Sequence, residues 1–545
     1  MKKFLMSLCA ISTVFFATSC SDFLTEDPKG SLSETTFFAS QNDVDMAVKA
    51  LYSQVCSQTN NTNPYGYTWM GDDLTTHPAS NKQAYAQFVK FAVPDDNKCS
   101  VATWKSWYRV IKAANFIILN VDKAAENGVT TEEVNIAKGQ AYYWRGVSYF
   151  ILVRLFGDIP LNLTNEINVS AEKATVATVY EQIIKDLQAA ESILPTSYAK
   201  APRVWGGVAC YITKQAALST LSSVYLTKAG WPLNGGKADY QQAANYAKQV
   251  IDGCKSGTYE YELLDDFKKV YSMTYNYNTE TIVGINASAD FSWAQDSETG
   301  ISNIFESQGG WGDAWGTYTF WKNFPEGARK DAVFMPKIMI TNSSNPHSGT
   351  LVNFYDKDAS GNFYVAEAHP AYQVFCCSGG GKADFDYTYG GSSEPKRDVA
   401  CTSQRRHMIR YSEVLLWYAE ASARATGAIS DDAVAALNEV VTRAGEAPVT
   451  KADFADADAF AERAFQEHGW EVAGWFVGLN TRRHDMQRMN RLKEVFDQRI
   501  KDGTVGVEVA PGIVLKEDNY PSGSFSESLI YAPVEYEDGS MNPNL

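Results

Sequence analysis

Two stretches of this chain place flat aromatic rings among amide and carboxylate side chains. The first is FSWAQDSETGISNIFESQGGWGDAWGTYTFW (291–321), which holds Trp293, Trp311, Trp315 and Trp321, four of the thirteen tryptophans, within 29 residues. Tyr318, Asp296, Asn303 and Asp313 lie among them, and glycines at 309, 310, 312 and 316 interrupt any helix that would bury the rings as a stripe. An indole or phenol face packs on the C–H patches of a sugar ring, and Asn, Asp, Gln and Arg exchange hydrogen bonds with its hydroxyls. Trp293, Trp311, Trp315, Tyr318 and Trp321 are therefore candidate ligand-stacking residues. The competing structural role for the same rings is a satellite core beneath a long loop.

The second stretch is NNTNPYGYTWMGDDL (60–74), a polar loop with Tyr65, Tyr67 and Trp69. Tyr67 and Trp69 join the candidate ligand contacts. The alternative, which the residue types favour slightly, is that Trp69 and Met70 dock the loop onto the body, with Asp72 as a turn or cap residue.

Other chemistries find less support. A glycoside hydrolase needs two carboxylates across the scissile bond. Asp72-Asp73, Asp95-Asp96, Asp265-Asp266 and Asp431-Asp432 are available, yet adjacent acids are usually solvated turns, and 64 acids guarantee chance pairs. HExxH, GxSxG and P-loop patterns are absent. His468 and His484 fall in or near helical segments and read as surface or capping residues. No CxxC occurs, so no zinc site is expected. No catalytic residue, cofactor or metal is assigned. The net charge of −16 argues against nucleic acid, whose phosphates demand a basic face.

The N-terminus carries a further reactive position. Lys2 and Lys3 precede an apolar run from Phe4 to Ala17, and Ala17-Thr18-Ser19 are small. Residues 1–19 read as an export signal, too short to span a bilayer. The thiol of Cys20 stands directly after them, as in a lipobox, where it is acylated and becomes the new N-terminus. Two or three acyl chains hold a protein stably on a membrane where one does not. The alternative is an ordinary signal with an incidental cysteine. Of nine cysteines, Cys9 leaves with the signal and Cys20 is acylated, so an odd number remains and a complete disulfide framework within the chain is impossible. A Cys56–Cys99 bridge stays open, as does the state of Cys376, Cys377 and Cys401.

The elements that must position these residues are mainly helical. After a lipidated tether over 20–40, a helical block spans 41–256. Val134, Ala137, Ala141, Trp144, Val147, Ile151 and Leu155 make one stripe, closed by Gly157 and Pro160. Thr178-x-x-Glu181 reads as a capping box, Thr213 opens the next helix, and Asp239 caps a third. Residues 257–405 lose helical periodicity and form a loop-rich, ligand-facing insertion with short strands such as 280–286. Helices return over 406–545, with Ser430 as a cap and another helix over about 453–468. Helix centres step by roughly 30 to 40 residues, the spacing of tetratricopeptide-like helix pairs. The predicted fold class is mainly α, a helix-pair scaffold with a large irregular insertion.

The phrases AKGQAYYWRGVSYFILVRLFGDIPL (137–161), VYEQIIKDLQAAESILP (179–195), ITKQAALSTLSSVYLTKAG (212–230), RYSEVLLWYAEAS (410–422), ALNEVVTRAG (436–445), AERAFQEHGWE (461–471) and NPNL (542–545) resemble, in order, those of SusD/RagB proteins. SCSDFLTEDP matches how such lipoproteins begin. The resemblance covers 20–545 as one unit and implies a SusD-like α-solenoid. It further implies a lipoprotein anchored in the outer membrane and exposed at the cell surface. Such a protein binds an oligosaccharide nutrient and delivers it to a SusC-like TonB-dependent transporter without acting as an enzyme. A peptide ligand is the runner-up, a surface glycoside hydrolase the less favoured reading. The chain departs from the family after Glu467, where GWEVAGWFVGLNTRRHDMQRM is longer than the usual phrase. Arg410, Glu413, Glu420, Glu439 and Arg443 read as ion pairs between helices.

Overall fold

A computed structural model describes residues 37–59, 63–78, 80–166, 168–287, 305–308, 310–340, 342–375 and 403–545. Cys20, Trp293, Cys376, Cys377 and Cys401 lie outside them, so the cysteine expected to be acylated and one candidate tryptophan are not described.

Six long helices come first: α1 (Gln41–Thr59), α2 (Lys98–Asn120), α3 (Thr131–Phe156), α4 (Val176–Ile193), α5 (Lys214–Ala229) and α6 (Gly236–Lys255). Each packs on the next, as a helix-pair array requires. After the insertion come α7 (Tyr411–Thr426), α8 (Asp431–Arg443), α9 (Ala457–Glu471), α10 (Arg482–Arg488) and α11 (Leu492–Thr504). Helix α6 packs directly on α7, and α7 on α8 and α9, so the array runs on unbroken past the insertion. The mainly helical fold read from the sequence is the fold observed.

The local signals explain most boundaries. Thr213 and Ser430 accept hydrogen bonds from the backbone N–H groups of Ala216 and Ala433, satisfying donors that a first helical turn leaves free. Helix α7 ends on Gly427 at φ 69°, the left-handed turn that glycine adopts without a Cβ clash. Two expected caps shift. Thr175, not Thr178, caps α4 and takes the N–H of Thr178. Asp239 lies in the first turn of α6 and pairs with Lys228 at 2.6 Å instead of capping. Cys56 and Cys99 are free thiols, so that bridge is absent.

The insertion is held by short antiparallel ladders. Strand β2 (Thr281–Ile285) pairs with β4 (Arg406–Arg410), closing the insertion at its base. Strand β1 (Leu74–Thr75) pairs with β3 (Trp315–Gly316). A main core runs through all the long helices, and a second cluster beneath the insertion gathers Phe305, Trp315, Tyr318, Ile338, Ile340 and Phe354.

Buried ion pairs join the helices, with partners other than those expected. Arg410 and Arg443 both converge on Glu280 and Glu471. Glu420 takes a two-pronged contact from Arg488, both at 2.7 Å, whereas Glu439 faces Lys255 at the exposed surface, 3.7 Å away. His468 is not a surface residue: its ring is buried between Asp485 at 2.6 Å and Glu413 at 3.4 Å. Burial alone would lower its pKa, but the two carboxylates outweigh that and raise it to about 9. His484 does cap, closing a reciprocal box with Thr481 at the start of α10. Among the described residues, no helix is long and apolar enough to cross a membrane.

Candidate functional site

The β1–β3 ladder sets Leu74 opposite Gly316 and Thr75 opposite Trp315. It thereby joins the two aromatic stretches into one structure. Thr317 reinforces the join, its N–H and hydroxyl donating to the carbonyls of Asp73 and Asp72 at 3.1 and 2.6 Å. Gly316 is required here, because a Cβ would stand 2.8 Å from the Phe334 ring. The ammonium of Lys82 is buried against the carboxylate of Asp313 and also donates to the carbonyl of Trp311.

Next to this join lies a cavity of about 280 Å³, lined by His77, Asn81, Lys82, Glu306, Trp315 and Glu367. Gly312 forms its turn at φ +62°, where a Cβ would sit 3.2 Å from a Glu367 carboxyl oxygen. Glu367 accepts the N–H of Glu306 at 2.7 Å, and its other oxygen has no partner among the described residues. Burial pushes the Glu367 carboxyl up to about 7. The indole N–H of Trp315 is likewise without an acceptor among the described residues. His77, at the mouth, lies 5.9 Å from the Trp315 ring and 3.4 Å from Asp518.

The candidate rings divide sharply. Trp311 is 37% exposed and adjoins the cavity through Gly312. Trp321 is half-buried, edge-on to Phe354 at 5.1 Å with the Lys330 ammonium 4.5 Å from its centre. Trp315 is buried with His369 against its ring at 4.7 Å, and it lines the cavity wall. Three candidates require correction. Tyr318 is 2% exposed, stacked on His369 at 4.3 Å with its hydroxyl bonded to the Ala368 carbonyl. Trp69 is fully buried between Tyr85 and Phe476, and Tyr67 is buried edge-on to His484. Rings whose faces are already occupied by protein offer no platform for a ligand, and these three serve packing. Asp72 is neither cap nor simple turn residue but the partner of Arg482 at 2.8 Å.

Lys82, Glu306 and Glu367 were not visible as site residues in the sequence. Nothing local marks them, since the ladder and the turn at Gly312 bring them together from three distant segments. Chemically, the assembly offers one open indole beside a cavity of mixed donors and acceptors. Among the described residues, no group of three His, Cys, Asp or Glu side chains could hold a metal ion.

Comparison with known proteins places this geometry in context. A family model described as starch-binding and associating with the outer membrane matches residues 22–226, and a model described as the SusD family matches residues 234–545. SusD-like protein P2 of Formosa agariphila is 25% identical over 539 residues, covering 95% of both chains. The crystal structure of a SusD superfamily protein from Parabacteroides distasonis superposes with a TM-score of 0.69 at 22% identity, covering 94% of this chain and 99% of that one. Surface glycan-binding protein A from Bacteroides uniformis superposes with a TM-score of 0.63 at 19% identity, covering 92% and 98%.

Proposed function

This chain belongs to the SusD family, and on that premise we propose that it is a surface lipoprotein of the outer membrane that captures an oligosaccharide. The observation that carries the ligand class is the exposed Trp311 beside the cavity of Lys82, Glu306, Trp315 and Glu367. One sugar ring rests its C–H face on the Trp311 indole, and its hydroxyls exchange hydrogen bonds with the cavity's carboxylates, ammonium and amide. Similarity to a protein named as a surface glycan binder supports the same ligand class. Net affinity is modest, because each hydrogen bond to the sugar replaces one to water. That suits a protein that must pass its cargo on.

Acylation of Cys20 anchors the chain, and the recipient is a SusC-like TonB-dependent transporter. The protein binds without turning its ligand over. Glu367, the one carboxyl here with a raised pKa, is buried and tethered to the Glu306 backbone.

The test is a glycan array and affinity electrophoresis with the full chain and its Trp311→Ala variant. Retention of one glycan class, lost in the variant while the melting temperature holds, supports the reading. Equal retention by both proteins overturns the site, shortened oligosaccharides overturn the non-enzymatic role, and retention of peptides alone moves the ligand class. Co-purification of the transporter from solubilised outer membranes, lost on Cys20→Ala, tests anchor and partner together.

A further inference from the structure

The cavity beside Trp311 holds an uneven set of charges. Each cation in or behind its wall is matched by an acid. Lys82 is held by Asp313, His77 faces Asp518 at 3.4 Å, and His369, against the Trp315 ring, faces Glu517 at 3.0 Å. The two acids of the lining have no such match. Glu306 is exposed, Glu367 is buried, and neither forms an ion pair among the described residues. The cavity therefore carries net negative charge, on a chain whose own net charge is −16.

It also holds two buried atoms that lack a hydrogen-bond partner among the described residues, the Trp315 indole N–H and one oxygen of Glu367. The two side chains converge over Gly312. A Cβ at that position would stand 3.2 Å from the other Glu367 oxygen and 3.6 Å from the Trp315 nitrogen. Glycine leaves that space unfilled. A buried donor or acceptor left unpaired is costly, so the pair defines the atom that would complete it. That atom has to accept from the indole and donate to the carboxylate.

Only one of the common ligand groups does both. A hydroxyl donates and accepts. An ammonium donates alone and leaves the indole unmet. A carboxylate or sulfate accepts alone, and it would stand against two unmatched acids. We infer that the Trp311 site selects neutral oligosaccharides, one hydroxyl bridging Trp315 and Glu367, and that Glu306 and Glu367 turn away uronic-acid and sulfated glycans. Specificity of this kind comes from a repulsive element as much as from an attractive one. The inference deepens the glycan reading of this site and rests on it.

A glycan array and titration calorimetry with the full chain test it. Both are run at pH 8, above the value of about 7 to which burial raises Glu367. The array carries neutral glucans, mannans, galactans and xylans beside acidic galacturonans, alginates and sulfated galactans. It also carries the neutral hexose polymers with their primary alcohols oxidised to carboxylates, which replaces a group that donates and accepts by one that only accepts. Retention confined to neutral polymers is expected, with an oxidised copy bound at least about tenfold more weakly. Glu306→Gln/Glu367→Gln should bring the two within about twofold while the melting temperature holds. Glu306→Gln alone, at an exposed position, should close part of the gap.

Preference for an acidic polymer, equal binding of an oxidised copy, or an unchanged gap in the double variant overturns the inference. If Trp311→Ala still abolishes retention in those cases, the Trp311 site itself stands. Retention indifferent to Trp311→Ala, or absent for every polymer, overturns the glycan reading and this inference with it.

Discussion

Trp69 donates its indole N–H to the carbonyl oxygen of Asp313 at 3.2 Å, across 244 residues of chain. The ring is fully buried, stacked on Tyr85 at 4.7 Å, so an early loop becomes the footing of the insertion's exposed tryptophan. Trp69→Ala is expected to cost about 3–5 kcal/mol through the cavity it leaves. Trp69→Phe keeps most of the packing and strands one acceptor, at about 1 kcal/mol. Urea unfolding of the two variants separates these terms. A Trp69→Ala protein as stable as the parent would contradict the burial described.

Lys82 ties Asp313 and Trp311 to the same footing. Removing one partner of a buried pair leaves an uncompensated charge, so Lys82→Met should destabilise by about 3–5 kcal/mol. Lys82→Met/Asp313→Asn should recover part of that loss, since neither charge then remains. A double-mutant cycle on unfolding free energies measures the coupling. Oligosaccharide retention should fall in the single variant even under conditions where it is fully folded, because Trp311 loses its anchor.

The helical array was legible because burial writes a 3.6-residue period into the chain, as along 134–155, and because Thr213, Ser430 and Gly427 punctuate it. The Thr175 cap was masked by a second threonine three residues on, which supplies the capped N–H rather than the cap. His468 looked like a surface residue because its partners, Asp485 and Glu413, come from other helices. The candidate cavity was illegible for a related reason. The ladder that assembles it is two residues long on each side, too short for alternation to register, and its acids come from unremarkable loop positions. Trp311 was visible as an aromatic among glycines, but nothing local distinguished it from Tyr318, which the second core absorbs.

Glu471 is the shared acceptor of the ion-pair network. Its buried carboxylate takes Arg410 at 2.8 Å, Arg329 at 3.4 Å and Arg443. Burial would raise its pKa, but the three guanidinium groups overcome that and hold it well below the usual carboxylate range. The stability it contributes is present above its unfolded value and is lost as pH falls. Glu471→Gln should therefore cost about 3–5 kcal/mol at neutral pH and less in acid, where the parent has begun to lose the same contribution. Chemical unfolding at pH 7 and pH 3 reads the difference, and an equal loss at both would argue that packing alone is at stake.

Glu367 carries the opposite sign. Burial raises its carboxyl from 4.5 to about 7. Between those values the folded protein holds a proton that the unfolded chain has released, so stability falls as pH rises through that window, by up to about 3 kcal/mol. Above pH 7 the folded state releases the proton as well, and the penalty stays constant. Asp73, raised to about 7 by burial and by neighbouring Asp72, adds a term of the same sign. His468 acts in the same direction over a different window: its contribution is complete below 6.5 and disappears as pH rises through about 9. His407 and His484, held neutral by burial and by neighbouring arginines, act the other way below 6.5, where the unfolded chain binds protons that the folded protein does not. Calorimetry should therefore show a melting temperature that declines from about pH 6.5 to 9. Glu367→Gln keeps the shape and removes the ionisation, so relative to the parent it should gain stability progressively from pH 5 to 7, leave the decline above pH 7, and stabilise the protein at pH 8. A variant whose profile parallels the parent's from pH 5 to 7 would mean that Glu367 is solvated in the folded protein, and the cavity beside Trp311 would then be open water rather than a preformed site.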